Sequence, residues 1–308
     1  MPLDIFYTFA PPKGTEFSAV GSALRSGRRG RWFESSNSDK LDFTVGLFFV
    51  ACVFSANLFI FASVIFTSMN LVMIVAAVLP ALLLWLYTCK HDTRREPMSL
   101  MVRAMLYGAG ISVPVIFIEL AIKSLLFGAG GTPETLVGTT AEAFFVAAFP
   151  EEVMKMIALC IVLHNNPYYD EHYDGIVYAV CVGLGFAAVE NIGYILGSSS
   201  WVELALMRAL LSVPGHYAFA VLMGYYLSLY HFGGNSAKNL VCALLVPVLA
   251  HGCYDAIALS GKVAPAVGSL STVLLIYFCI KMHKFARKRM MAQISKDKSF
   301  RDFENNNA

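Results

Sequence analysis

The stretch DGIVYAVCVGLGFAAVEN at residues 174–191 decides the fold class. It is apolar on every side of a helix, and a run of about 20 such residues is what a helix needs to cross a bilayer. Small residues recur at every fourth position and form a smooth ridge, along which a second helix can pack closely: Gly175, Ala179, Gly183 and Ala187. The stretch therefore predicts a buried membrane-spanning helix.

The composition of the whole chain supports this prediction. Of its 308 residues, 57% are hydrophobic and 14% are charged, whereas about 25% of the residues of soluble proteins are charged. A soluble globule of this size could not bury so much apolar surface. The net charge of +2 gives no reason to expect nucleic acid as a partner. We expect an all-α, polytopic membrane helix bundle in contact with lipid.

Apolar runs of spanning length divide the chain. We predict about eight transmembrane helices, near residues 43–66, 70–89, 102–127, 137–163, 175–197, 202–230, 239–260 and 265–282. This gives a cytoplasmic arm at 1–41, three spans within 42–136, a catalytic core of four spans at 137–260, a last span at 261–282 and a basic cytoplasmic tail at 283–308. The arm and the tail are expected to be solvated and loosely ordered.

The distribution of basic residues predicts the orientation, because loops rich in Lys and Arg are retained in the cytoplasm. With the N-terminus inside, eighteen Lys and Arg residues fall on the inner side and only Lys262 falls on the outer side. An even number of spans returns the basic tail to the same side. We therefore expect both termini to be cytoplasmic.

Ionisable groups inside spans are functional candidates, since each costs about 2.5–3.5 kcal/mol to insert. The segment FPEEVMK at residues 149–155 places Glu151 and Glu152 after a proline that opens the local backbone hydrogen bonding. Lys155 follows one turn later in a supporting role. Adjacent acids point about 100° apart, so one can pair with Lys155 while the other faces a different neighbour. Such a carboxylate suits general acid or base catalysis, although a plain ion pair remains the structural alternative.

The next three spans carry further polar groups. Glu190 and Asn191 end the small-residue ridge, His216 follows a Pro-Gly pair, and His251 and Asp255 lie four apart on one helical face. The spacing of His251 and Asp255 suits either metal ligation or an imidazole with an orienting carboxylate. Four consecutive spans thus bring acids or histidines to the bilayer centre or its outer half, where they could meet in one cavity.

Other charges within the spans have simpler explanations. Glu119 and Lys123 stand four apart, as a self-neutralising pair requires. Arg103, Glu142 and Arg208 are treated as further structural charges.

An ordered set of motifs resembles a known family. The motifs are EExxK at Glu151, DGIVY at Asp174, GFAAVEN at Glu190, HYAFAVLMGYY at His216 and HGCYD at His251. In this order they resemble the PrsW-type intramembrane proteases, which are relatives of the CAAX-processing prenyl endopeptidases and bacteriocin-immunity membrane proteins. The resemblance covers about Phe149 to Asp255.

The resemblance implies an activity and a location. The expected reaction is hydrolysis of a peptide bond in or next to the membrane segment of a single-span membrane protein, as in site-1 cleavage of an anti-sigma factor. The expected location is a bacterial cytoplasmic (inner) membrane. By position, Glu151 and Glu152 look like the essential acids and His216 like the essential histidine. Glu190, His251 and Asp255 complete the site; CAAX relatives usually have Asn where this chain has Asp255.

Two mechanisms remain open. In the glutamate version, Glu151 or Glu152 activates a water, and His216 positions that water or protonates the leaving amine. Asn191 and His251 then stabilise the oxyanion.

In the metal version, His216 and His251 hold zinc together with Glu190 or Asp255, and the acid pair supplies the base. Zinc is the only cofactor that the sequence suggests, and it is not required by the glutamate version.

Two other classes of function fit part of the pattern. Acids and histidines near the midplane also suit an ion-coupled or metal transporter, and the small-residue ridge suits a non-catalytic scaffold that binds partner helices.

Overall fold

The computed structural model describes residues 71–234, 236–264 and 268–307, and these ranges contain helices and connecting loops but no strand. The predicted arm at 1–41 and the predicted span at 43–66 lie outside the described residues. The helices are α1 Leu71–His91, α2 Met98–Phe127, α3 Leu136–Ala141, α4 Phe149–Leu163, α5 Asp174–Leu196, α6 Trp201–Met207, α7 Val213–Phe232, α8 Ala237–Val263 and α9 Gly268–Asn307, with π-helical segments at Glu142–Ala148 (π1) and Arg208–Ser212 (π2).

Six described helices are long and apolar enough to cross a membrane: α1, α2, α5, the continuous α6–π2–α7 segment, α8 and α9 as far as Phe303. The predicted all-helical, multi-pass membrane fold is thereby confirmed. The segment predicted as a span at 137–163 is also helical, but it carries Glu142, Glu151, Glu152 and Lys155 and is not one of the six. The number eight and the orientation of the termini stay predictions.

Helix α5 forms the centre of the bundle. Most of α5 and of the α6–π2–α7 segment is buried, whereas only a small part of α1 and α2 is buried although both are strongly apolar. Exposed leucines, valines and phenylalanines on α1 and α2 are the surface expected of helices that face lipid. The polar residues of α5 and α7 therefore lie in the protein interior.

The small residues of α5 account for its central position. A side-chain carbon added at Gly183 would lie 2.8 Å from the Ala220 methyl group on α7, and one at Gly185 would lie 2.1 Å from the Met105 carbonyl oxygen on α2. Both distances are shorter than van der Waals contact, so only glycine permits these approaches. The predicted ridge does pack closely against a second helix, and α5 has a close neighbour on another side as well.

Two prolines are preceded by π-helical segments. Pro150 follows π1 and Pro214 follows π2. A proline has no N–H and its ring clashes with the carbonyl four residues earlier, so the preceding turn widens. The sequence-based expectation that the helix is locally disturbed at both prolines is confirmed, and each disturbance comes just before a group of polar side chains.

The C-terminal region differs from the loosely ordered tail predicted at 283–308. Helix α9 continues to Asn307, with Met290 and Ile294 buried against the bundle. The Asp297 carboxylate accepts hydrogen bonds from the backbone N–H groups of His172 and Tyr173, at 2.8 and 2.9 Å. These contacts hold the charged segment as a helix against the α4–α5 loop.

Candidate active site

The acid pair lies in the first turn of α4, directly after Pro150. The Lys155 Nζ atom is 2.8 Å from Glu151 Oε2 and 2.8 Å from Glu152 Oε1. All three side chains are buried, and Glu152 has no exposed surface. Lys155 therefore contacts both acids rather than one, while Glu152 also has a second neighbour.

That neighbour is His251 on α8. Its Nδ1 atom is 3.0 Å from Glu152 Oε1 and its Nε2 atom is 3.2 Å from Asp255 Oδ2. The imidazole ring also stacks on Phe219, with ring centroids 4.7 Å apart. Contacts on both nitrogens and on one face fix the orientation of the His251 ring.

His216 on α7 connects the acid pair to α5. Its Nε2 atom lies 2.7 Å from Glu190 Oε2, and its Nδ1 atom lies 3.3 Å from Lys155 Nζ. The rings of His216 and His251 are nearly perpendicular, with centroids 5.3 Å apart. The structure thus brings together the candidate acids and histidines of α4, α5, α7 and α8 in one cluster. Its centre is buried, and the side chains of Glu190 and Asp255 at its edge are 21% and 23% exposed.

Arg208 is a site residue that sequence reasoning set aside. Its Nη2 atom is 3.1 Å from Glu190 Oε2, its Nε atom donates a hydrogen bond to Asn191 Oδ1, and its guanidinium lies over the Tyr194 ring. The Asn191 amide nitrogen donates to the Ala77 carbonyl at 2.9 Å. Both ends of the Asn191 amide are therefore engaged. The sequence did offer a signal for this contact, because Arg208 and Glu190 are opposite charges in consecutive apolar runs.

The predicted pair of Glu119 and Lys123 is wrong. Lys123 forms an ion pair with Glu142 of π1, with Nζ and Oε1 2.5 Å apart. Glu119 instead lies within electrostatic range of Glu151 and Glu190. Lys123 therefore pairs with a residue on another helical segment. Residue spacing within a single helix cannot predict such a partner.

One group in the cluster could hold a metal ion such as zinc; it contains the predicted ligands His216 and His251 together with Glu151. Glu151, His216 and His251 each offer a donor atom, and the three atoms lie within 4.8 Å of one another. One carboxylate and two imidazoles form a known catalytic zinc set. Glu190 and Asp255 contact the Nε2 atoms of the two histidines. They occupy the place of outer carboxylates that orient metal-binding histidines.

Comparison with known proteins identifies the family. The model of the PrsW family of intramembrane metalloproteases matches residues 96–282, a range that contains the whole cluster. The chain belongs to the PrsW family. It is therefore a membrane-embedded protease, as the motifs predicted, and a multi-pass integral membrane protein.

Three curated relatives show how far this likeness extends. Protease PrsW of Oceanobacillus iheyensis is 38% identical over 181 residues, which are 58% of this chain and 80% of that protein. Protease PrsW of Bacillus subtilis is 36% identical over 218 residues, or 70% and 94% of the two chains. Protease PrsW of Clostridioides difficile is 36% identical over 195 residues, or 61% and 79%. No solved structure matches the chain.

Proposed function

We propose that this PrsW-family protease cleaves a single-span membrane protein in or next to its membrane segment, in the manner of site-1 cleavage of an anti-sigma factor. The observation that carries the proposal is the buried cluster of acids and histidines on α4, α5, α7 and α8. Because these groups lie inside the helix bundle, the scissile bond must reach them from within or beside the bilayer.

We assign the general base to Glu152. Its Oε1 atom contacts Lys155 and His251, whereas its Oε2 atom is buried and has no hydrogen-bond partner among the described residues. That free oxygen can accept a proton from water while the water oxygen bonds to the carbonyl carbon of the substrate. Glu151 is held 2.8 Å from Lys155, beside the base.

His216 is assigned to the leaving amine. As the carbon–nitrogen bond breaks, the amine nitrogen needs a proton, and an imidazolium held by Glu190 can donate it. Lys155 lies within hydrogen-bond distance of both Glu152 and His216. It can therefore pass the proton taken from water towards His216, so that both groups return to their starting states.

His251 and Lys155 are assigned to the charge that develops on the carbonyl oxygen. Both lie buried beside Glu152. Their N–H groups are already engaged by neighbouring side chains, so they act on the oxyanion through their positive charge, which a water-poor setting makes more effective. The amide of Asn191 is already bonded to Ala77 and Arg208. In this proposal Asn191 therefore positions Arg208 rather than stabilising the oxyanion.

Glu151, His216 and His251 are the residues that would hold a zinc ion. When bound, zinc would polarise the substrate carbonyl and make a bound water more acidic. In either version Glu152 takes the proton of the attacking water, and the carboxylates of Glu190 and Asp255 hold the two imidazole rings.

We further propose that the protein lies in a bacterial cytoplasmic (inner) membrane with both termini in the cytoplasm. The basic residues of the N-terminal arm and of the end of α9 support this orientation.

The test compares new protein N-termini in membranes of host cells that express the wild-type chain, Glu152→Gln or Glu134→Gln. Glu134 is an exposed acid outside the cluster and serves as the matched control. We expect new ends near the membrane boundary of single-span proteins in the wild type and in Glu134→Gln, and their loss in Glu152→Gln. Undiminished cleavage by Glu152→Gln, at equal expression, would remove Glu152 from the mechanism.

A further inference from the structure

A second buried acidic cluster lies far from the candidate active site. Asp92 follows α1, Glu171 lies in the α4–α5 loop, and Asp174 is the first residue of α5. Their exposed fractions are 7%, 8% and 0%. Asp174 and Glu190 are sixteen residues apart on α5, which at 1.5 Å per residue corresponds to about 24 Å. The proposed protease mechanism does not involve this cluster.

The backbone fixes the orientation of two of its carboxylates. Asp92 accepts hydrogen bonds from the amides of Arg94 and Glu96, at 3.0 and 3.2 Å. Asp174 Oδ2 accepts from the amides of Asp170 and Glu171, at 3.1 and 2.6 Å. These bonds hold the side chains in place without neutralising their charges.

The other oxygen of Asp174 carries the main argument. Oδ1 is buried and receives no N–H or O–H from any residue that the structure describes. The Asp174 carboxyl group also has the carboxyl group of Glu96 as a neighbour, and Glu96 Oε2 accepts a hydrogen bond from Tyr178. Two carboxylates that meet in a buried place need a proton or a cation between them.

The local charges favour a cation. Arg94 pairs with Asp170 at 3.0 Å, and Arg301 pairs with Glu171 at 2.6 Å. The group has more acids than bases: Asp92, Glu96, Asp170, Glu171, Asp174 and Asp297 face Arg94, Arg95 and Arg301. A single shared proton would offset less of this excess than a divalent cation would.

The donors indicate the kind of cation. One oxygen from each of Asp92, Glu171 and Asp174 lies within 4.8 Å of the other two. Carboxylate oxygens select hard cations. Oxygens bound to Ca²⁺ at about 2.3–2.6 Å lie at most about 5 Å apart, whereas Mg²⁺ draws its ligands to within about 4.2 Å. Separations within 4.8 Å are compatible with either ion.

We propose that Asp92, Glu171 and Asp174 form a binding site for a hard divalent cation, Ca²⁺ or Mg²⁺. The cation joins the α1–α2 loop and the α4–α5 loop to the start of α5. Arg301 closes the site from α9, since it contacts Glu171 and also donates to Thr93 Oγ1 at 3.1 Å.

The test measures binding of Ca²⁺ alone and of Mg²⁺ alone to the full-length protein, purified in detergent and stripped with a chelator. Equilibrium dialysis gives the stoichiometry, and thermal unfolding at each concentration gives a second readout. The His251→Ala background removes the zinc candidate and leaves this cluster intact. We expect one bound Ca²⁺ or Mg²⁺ per chain and a rise in the unfolding temperature in the wild type and in His251→Ala.

Asp174→Asn should weaken binding of the cation by at least about 100-fold. Loss of a residue that only orients a ligand typically lowers metal affinity by about 10–100-fold, and loss of a ligand itself is at least as costly. If Asp174→Asn does not fold, Glu171→Gln serves as the second variant, with Glu134→Gln as the exposed control. Absence of stoichiometric Ca²⁺ or Mg²⁺ binding to His251→Ala would overturn the proposal and indicate a proton shared by Asp174 and Glu96.

Discussion

The Nε2 atom of His216 lies 2.7 Å from Oε2 of Glu190, so a carboxylate on α5 fixes the imidazole of α7. The same carboxylate oxygen lies 3.1 Å from Arg208 Nη2. Glu190 therefore orients the His216 ring, and Arg208 in turn holds the Glu190 carboxylate. This arrangement resembles the carboxylate partners that orient catalytic or metal-binding histidines in other sites.

Glu190→Gln tests this arrangement. The amide keeps the shape of the carboxyl group but not its charge, so His216 loses its anionic partner and Arg208 loses its counter-charge. We expect the cleavage rate at saturating substrate to fall about 10–100-fold, as for other outer partners of site histidines. The assay uses the substrate found by the N-terminus comparison. Glu203→Gln, an exposed acid on α6, is the control, and equal rates for the two variants would contradict the assignment.

Lys155→Met tests the central ion pair. Removing this ammonium leaves two buried carboxylates without their shared partner, which typically costs about 3–5 kcal/mol of stability. We expect a clear decrease in the unfolding temperature in detergent. Lys123→Met is the matched control because its side chain is 34% exposed and meets a single acid. If both variants unfold at the same temperature, Lys155 is not the main counter-charge of the acid pair.

Metal removal distinguishes the two versions of the mechanism. If zinc is used, a chelator abolishes cleavage and added zinc restores it, and His251→Ala is purified with less zinc than the wild type. Asp255→Asn should bind zinc about 10–100-fold more weakly, because it loses the carboxylate that orients His251. Full activity of protein shown by elemental analysis to be free of metal would support the glutamate version.

Close packing along α5 gives a test of the fold. In Gly185→Ala the new methyl group would meet the Met105 carbonyl at 2.1 Å, and backbone atoms cannot rotate away. We expect a loss of at least about 1–3 kcal/mol, the usual cost of overpacking, seen as a lower unfolding temperature. Gly193→Ala lies on the same helix with no atom within 4 Å of the new carbon. Gly193→Ala should therefore unfold at the wild-type temperature. A similar decrease in unfolding temperature in both variants would indicate a general effect of removing glycine.

The C-terminal segment should stabilise the α4–α5 loop. Asp297→Ala removes the acceptor of two backbone N–H groups and the partner of the His172 ring. We expect faster proteolytic cutting between residues 164 and 173, measured on intact protein in detergent. Asp302→Ala changes an exposed acid one turn further along α9. Equal cutting rates for Asp297→Ala and Asp302→Ala would show that the contact does not order the loop.

Sequence alone predicted the residues that meet in the cluster because a charge in an apolar span is conspicuous. Glu151, Glu152, His216 and His251 each follow or neighbour a proline or glycine within such a run. Which nitrogen of each imidazole faces which carboxylate could not be predicted, since this depends on the rotation of four separate helices. Their catalytic roles stay predictions.

The expectations that differed from the structure involve contacts between distant segments. Lys123 finds Glu142 on another helix, and Arg208 finds Glu190 across the α5–α6 turn. The segment after residue 282 reads as a charged tail because few apolar residues separate its lysines and arginines. It is a helix because Met290 and Asp297 find partners elsewhere in the bundle.

The π-helical segments before Pro150 and Pro214 also change the direction in which the side chains after them point. An α-helix advances 100° per residue, and a π-helical turn accommodates one residue more than an α-helical turn. The helix that starts as α3 therefore presents Glu142 to Lys123 and, after the phase change, presents Glu151 and Glu152 to the histidines. Deleting one residue within Glu142–Ala148 would keep a helix but turn one part relative to the other by about 100°. The π-helical segment therefore sets the rotation between Glu142, which pairs with Lys123, and the acid pair Glu151 and Glu152. A regular α-helix over the same residues would not have this rotation.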